Sequence, residues 1–176
     1  MGIRTRETWG QVVGTSNQMP INVYTRSDAC GAAETFAAWL KSHQEDLLGT
    51  GVYGDPGIVR QVVNDPYGVG MCNISYAFDD QTGRPNDGIA LFPIDANGDG
   101  RISKDEQFYA SKQTLIKAIQ DGRYPCPPAR QLYVVSKGKP QNAIVEAFLR
   151  FILEEGQQYN VPAGFIPVNE KNKAKH

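Results

Sequence analysis

The stretch Val23-Tyr24-Thr25-Arg26-Ser27-Asp28-Ala29-Cys30-Gly31-Ala32-Ala33-Glu34-Thr35-Phe36-Ala37 decides the fold. It continues Ile21-Asn-Val-Tyr-Thr25, a strand-like run, and from Gly31 to about His43 it places Ala33, Phe36, Ala37 and Leu40 on one helical face. A strand running through a tight loop into an amphipathic helix is the repeating unit of α/β proteins. The junction also carries chemistry. Unpaired amides and the positive end of the helix dipole make a helix start attractive to anions, and an arginine adds a charge-assisted partner. Arg26 and the amides around Cys30, Gly31 and Ala32 are therefore candidates to hold an oxyanion. An ordinary helix start, with Asp28 as cap and Arg26 as a surface charge, fits the same residues.

Outward from this unit the alternation continues. The turn Gly54-Asp-Pro-Gly57 opens a short helix through Val63, and Tyr67 to Asn73 reads as the next strand. Gly88-Ile-Ala-Leu-Phe-Pro-Ile94 reads as another strand. Thr114 to Gln120 is helical and stops at Asp121-Gly122. Tyr124-Pro-Cys-Pro-Pro128 resists both helix and central strand and marks a linker or hinge. Leu132-Tyr-Val-Val135 reads as a strand. Ala143 to Glu155 predicts a helix with Ile144, Ala147, Phe148, Phe151 and Ile152 on one face. The expected class is α/β, a mixed and mostly parallel sheet flanked by helices.

Length and charge narrow the function. A chain of 176 residues can bury one good core or two small lobes. A net charge of −1 with interspersed signs provides no field for nucleic acid. No apolar run is long enough to span a bilayer. Met1-Gly-Ile-Arg-Thr-Arg6 lacks the apolar stretch of a signal peptide. Cys30, Cys72 and Cys126 follow no metal-ligand spacing, and an odd count argues against a pure disulfide framework.

A second motif stands apart. Asp95-Ala-Asn97-Gly-Asp99-Gly100-Arg101-Ile102-Ser103-Lys-Asp-Glu106 fills each position of a twelve-residue calcium loop. Asp95, Asn97 and Asp99 offer side-chain oxygens, Arg101 its carbonyl, Ser103 a water-bridged contact and Glu106 a bidentate carboxylate. The loop is expected between a strand and a helix rather than in a paired helix-loop-helix sensor. Calcium is then a structural staple, although Asp/Asn/Gly loops also form turns that bind nothing.

The Val23 to Ala32 stretch, followed by Tyr124-Pro-Cys-Pro-Pro-Ala-Arg-Gln-Leu-Tyr-Val-Val135, Phe148-Leu-Arg-Phe-Ile-Leu-Glu-Glu-Gly156-Gln157 and Gly164-Phe-Ile-Pro167, resembles the phosphate-binding proteins of ABC transporters, which are type II periplasmic binding proteins. The resemblance implies a protein that captures phosphate or a similar oxyanion for an ABC transporter permease. It assigns Arg26 as charge partner, Asp28 as the acid that orients it, and Cys30, Gly31 and Ala32 as an amide cradle. Cys30 stands where the family has Ser and Ala32 where it has Thr, so one hydroxyl donor becomes a weak thiol and the other is lost. The resemblance further implies that residues 1–123 form the second lobe, 124–130 the hinge and 131–176 a segment returning to the first lobe. The missing lobe is then expected from a longer protein or from another chain. It also implies a periplasmic or extracellular site, with a lipid anchor on the full-length form.

An enzyme is not expected. A cysteine phosphatase needs an arginine six residues beyond its nucleophile, and that position relative to Cys30 is Phe36. His43 and His176 are the only histidines, too few to support a Cys-His or Ser-His-Asp arrangement. The alternative class is a calcium-stabilised adhesion or scaffold module without anion binding.

Overall fold

The computed structural model describes residues 7–168. The expected C-terminal segment therefore reaches beyond the described residues, and His176 lies outside them. The chain forms two compact units, one through Phe92 and one from Pro93 onward. This grouping follows contacts within the chain and is separate from the lobe assignment implied by the resemblance.

The first unit contains α1 (Trp9–Val13), β1 (Asn22–Arg26), α2 (Gly31–Trp39), β2 (Thr50–Val52), α3 (Gly54–Asn64), β3 (Gly68–Gly70) and α4 (Ile74–Ala77), with a 3-10 turn at Gln44–Asp46. The three strands make one parallel sheet in the order β2-β1-β3. Tyr24, Thr25 and Arg26 pair with Thr50, Gly51 and Val52, while Asn22, Val23 and Tyr24 pair with Gly68, Val69 and Gly70. The protein is thus α/β, a small parallel sheet flanked by helices. Because β1 is central and the chain crosses to one side of it and then to the other, the carboxyl end of β1 is a topological switch point, where α/β sheets open a crevice.

Packing explains the register. Ala33 and Ala37 on α2, Ile58 on α3, and Ala77 with Phe78 form the buried apolar set. Gly70 has no side chain because one would meet the Ile58 Cγ2 at 2.7 Å. Leu40, expected on the buried stripe, is half exposed because α2 ends at Trp39 and Leu40 is its cap. Trp9 Nε1 donates to the Tyr67 carbonyl at 3.2 Å and ties α1 to the start of β3. The sequence reading missed α1, β2 and α4, each five residues or fewer and too short for a period to show.

The second unit holds a 3-10 turn at Lys104–Glu106, α5 (Lys112–Gln120), α6 (Ala143–Leu153) and a 3-10 turn at Glu155–Tyr159. Phe108, Leu115 and Ala118 are buried, and Phe108 stacks on Tyr109 with ring centroids 4.8 Å apart. Burial pushes the Tyr124 hydroxyl up to about 12. The helix expected from Thr114 begins at Lys112, because Ser111 accepts from the Thr114 amide and caps it. Two expected strands do not form: Gly88 to Ile94 and Leu132 to Val135 have no strand partner among the described residues. A strand needs a neighbour for its backbone groups, and Leu132, Tyr133, Val134 and Val135 instead stand exposed. α6 is capped by Asn142 and carries no buried residue.

Candidate anion site

Parallel strands bring the loops after β1, β2 and β3 to one end of the sheet. The β1–α2 loop, residues 27–30, sits at the switch point. Arg26 closes β1 with its side chain 8% exposed, a burial that a guanidinium tolerates only when paired. Its Nε donates to Asp28 Oδ1 at 2.8 Å and its Nη2 to Asp28 Oδ2, a two-pronged pair. Its Nη1 reaches Asp55 Oδ2 at 2.9 Å. Asp28 holds the Arg26 charge firmly in place, and Arg26 holds the Asp28 carboxyl well below the usual carboxylate range. A guanidinium has five N–H donors, and these contacts engage three. Among the described residues, no contact engages the second N–H of either terminal nitrogen.

Asp28 also orders the neighbouring loop, since its Oδ1 accepts from the Gly54 amide at 3.0 Å. Gly54 reaches that position with φ 72°, in the left-handed region that glycine enters without steric penalty. Asp55 Oδ1 accepts from the Asn73 amide at 3.0 Å, so the two carboxylates join the loops after all three strands.

The cradle residues divide. Cys30 is the N-cap of α2, and its Sγ accepts from the Ala33 amide at 3.3 Å. The Cys30 amide donates to Gln44 Oε1 at 3.2 Å, which commits it within the protein. Gly31 and Ala32 occupy the first turn of α2, where helix geometry provides no backbone acceptor for the amides. Gly31 is exposed and Ala32 partly so. The candidate donors to an oxyanion are the Gly31 and Ala32 amides and, on a side chain only 8% exposed, the second N–H of each Arg26 terminal nitrogen. Glu34, the acidic residue of the same first turn, takes the Gln44 amide at 2.8 Å and His43 Nδ1 at 3.0 Å.

Two residues of the site escaped the sequence reading. Asp55 enters that reading only within the turn Gly54-Asp-Pro-Gly57, and Gln44 not at all. The signal for Asp55 is positional: in a parallel sheet the residue opening the next helix faces the same crevice. Recognising it required β2, a three-residue strand.

The acidic loop lies in the second unit. Glu106 is 5% exposed, and its Oε1 accepts from the Ala96 and Asn97 amides at 2.8 and 3.3 Å. Its Oε2 accepts from the Ser103 amide at 2.8 Å and hydroxyl at 2.9 Å. These bonds, led by Ser103, hold the Glu106 carboxyl below its ordinary range. Asp95 takes the Gly98, Asp99 and Gly100 amides, Asn97 Oδ1 takes the Asp99 amide, and Asp99 Oδ1 takes the Arg101 amide. Among the described residues no group of three or more His, Cys, Asp or Glu side chains converges as a metal-ligand set. In this arrangement the carboxylates close the loop on its own backbone. All three cysteines are free thiols.

Among the described residues, no helix is long and apolar enough to cross a membrane. The family model that matches the chain is described as the PBP superfamily domain and covers residues 2–155. No curated protein and no solved structure matches.

Proposed function

We propose that this chain, which belongs to the PBP superfamily, captures phosphate or a similar oxyanion at the β1–α2 loop and hands it to an ABC transporter permease. The observation that carries the reading is the buried Arg26 at the carboxyl end of β1, fixed by Asp28 and Asp55, in the loop that leads into the first turn of α2. Fixed donors at a switch point bind an anion without the entropic loss of ordering long side chains. The chain performs no chemistry on its ligand. Its place of work in this reading is periplasmic or extracellular.

A second lobe covers the other side of the anion, supplied by another chain or by a longer form. What supports it is the two-lobed architecture of the family the sequence resembles; the second unit, taken by itself, also carries apolar surface suited to a further partner. Ile144 is 79% exposed, Phe148 58% and Val135 88%, on α6 and in a segment, 131–139, that both lack a buried residue. Calcium belongs to the reading as a structural ion at Asp95, Asn97, Asp99, Arg101, Ser103 and Glu106. The filled pattern supports it, together with Gly98 and Gly100 at φ 74° and 81°. Binding requires Glu106, both of whose oxygens take two donors, to release some of them, while Asp95 Oδ2 takes the Gly100 amide alone and keeps a lone pair for the ion. No observation favours a scaffold without anion binding.

Calorimetric titration of phosphate into the wild-type chain and into Arg26→Ala tests the proposal. Saturable binding that the substitution weakens by about 2–5 kcal/mol, the cost of losing a buried charged partner, is expected. Equal affinities in the two proteins would overturn it.

A further inference from the structure

We infer that α6 is a self-association element, through which two copies of this chain pair antiparallel about a twofold axis at Phe148. The inference stands apart from the anion site and does not depend on it. α6 carries no buried residue along Ala143–Leu153, although only Glu146 and Arg150 of its 11 residues are polar. A helix this short is marginal in water without a packed face, and one this apolar is normally enclosed. Its apolar stripe is symmetric. At about 100° per residue, Ile144, Val145, Phe148, Phe151 and Ile152 share one face. Reversal about Phe148 exchanges Ile144 with Ile152 and Val145 with Phe151, so the stripe reads alike in both directions. An isologous pair requires this property, because residue i of one copy meets residue j of the other and j meets i. Glu146 and Arg150 lie on the opposite face, at the spacing of a pair within one helix.

The flanking charges name the same occupant. Exposed Lys137 and Lys139 precede the amino end of α6, and exposed Glu154 and Glu155 follow its carboxyl end. Both signs are the reverse of those that the dipole of their own helix favours. Antiparallel pairing about Phe148 sets Glu154 and Glu155 beside Asn142 and Gln141 of the other copy, close to its two lysines and to the positive end of its helix. A parallel pair would instead bring like charges together. The turn Glu155–Tyr159 flanks the stripe without closing it: the Tyr159 ring lies 6.4 Å from that of Phe151, and both remain exposed. One pair of helices this short covers less than the about 800 Å² per partner of a standard interface, so the dimer dissociates in the micromolar range.

Sedimentation equilibrium of the whole chain from about 1 to 300 µM, a range set by micromolar affinity, should show a monomer–dimer equilibrium. Phe148→Glu, which sets a charge on the axis, should raise the dissociation constant by about tenfold or more. Ile144→Glu, at the most exposed position of the stripe, replaces it should that variant not fold. Orientation is read by cross-linking with oxidised glutathione after Cys126, the exposed cysteine, is changed to Ser. Phe148→Cys should then form a disulfide-linked dimer, while Glu146→Cys on the opposite face should not. Ile144→Cys and Ile152→Cys, mixed, should cross-link to each other rather than each to itself. A wild type that stays monomeric throughout the range would leave this face to the second lobe and overturn the inference. Self-association undiminished in the glutamate variants, or Ile144→Cys linking to itself, would overturn it as well.

Discussion

Gln44 Nε2 donates to the Asp28 carbonyl oxygen at 2.7 Å, fastening the β1–α2 loop from a residue outside it. The same carboxamide accepts from the Cys30 amide, so one side chain grips both ends of the turn. Gln44→Ala leaves a partly buried carbonyl and amide unpaired. It should destabilise the chain by about 1–3 kcal/mol. Urea denaturation measures that loss, and phosphate affinity should fall with it, since the Gly31 and Ala32 amides lose their fixed direction. Gln44→Glu should keep the acceptor to Cys30 but not the donor to Asp28, and should lie between the two.

Hydroxyl groups at the cradle are the second lever. Cys30 caps α2 through a weak sulfur acceptor, and Ala32 offers only its amide. Cys30→Ser supplies a stronger cap and Ala32→Thr a new donor beside the first-turn amides. Each should tighten phosphate binding several-fold, about 0.5–1.5 kcal/mol for one added hydrogen bond. Calorimetry on the single and double variants checks this. Weaker binding in both single variants contradicts the placement of the anion.

Calcium should act by mass action. Calcium at about a hundred times its dissociation constant should stabilise the chain by about 2.7 kcal/mol. Chelation should then lower the melting temperature, and Glu106→Gln should remove the calcium dependence while phosphate still binds. A melting curve unmoved by chelator, with no heat on calcium addition, would leave the loop as a self-closed turn.

Acidity should reach the helix start through Glu34 and His43. Their contact raises the His43 imidazole and, after the Gln44 amide, helps to lower the Glu34 carboxyl. The His43 contribution is fully present below the ordinary imidazole value of 6.5 and is lost as pH rises through the raised value in the folded protein. Glu34 contributes above its ordinary value of 4.5, and that part is lost as pH falls through its lowered value. Both groups are largely exposed, so the effect is slight. The urea midpoint of the wild type should fall modestly from about pH 6 to about pH 9, and that part of the slope should vanish in His43→Asn.

What the sequence disclosed and what it concealed follow from length and distance. β1, α2 and α3 were legible because each carries a pattern over several residues, and the expected helix bounds differ from the observed ones by only a few positions. Arg26 and Asp28 are two residues apart, so their pairing is local and readable. Asp55 joins the site because β2 lies beside β1 in the sheet, and Gln44 because the turn after α2 folds back on the β1–α2 loop, and no local pattern encodes either. Leu132 to Val135 has strand composition without a strand, because pairing depends on a partner that composition does not provide. The calcium loop shows the opposite limit: its residues fill a ligand pattern, while their side chains are arranged on backbone amides.

The most direct measurement follows the backbone amide resonances of the chain during phosphate titration. Saturable shifts at Gly31 and Ala32, absent in Arg26→Ala, are the expected result, and they remain visible even where affinity is weak. Saturable shifts confined to other residues, or none at Gly31 and Ala32 up to about millimolar phosphate, the weak end of specific binding, would contradict anion capture at the β1–α2 loop.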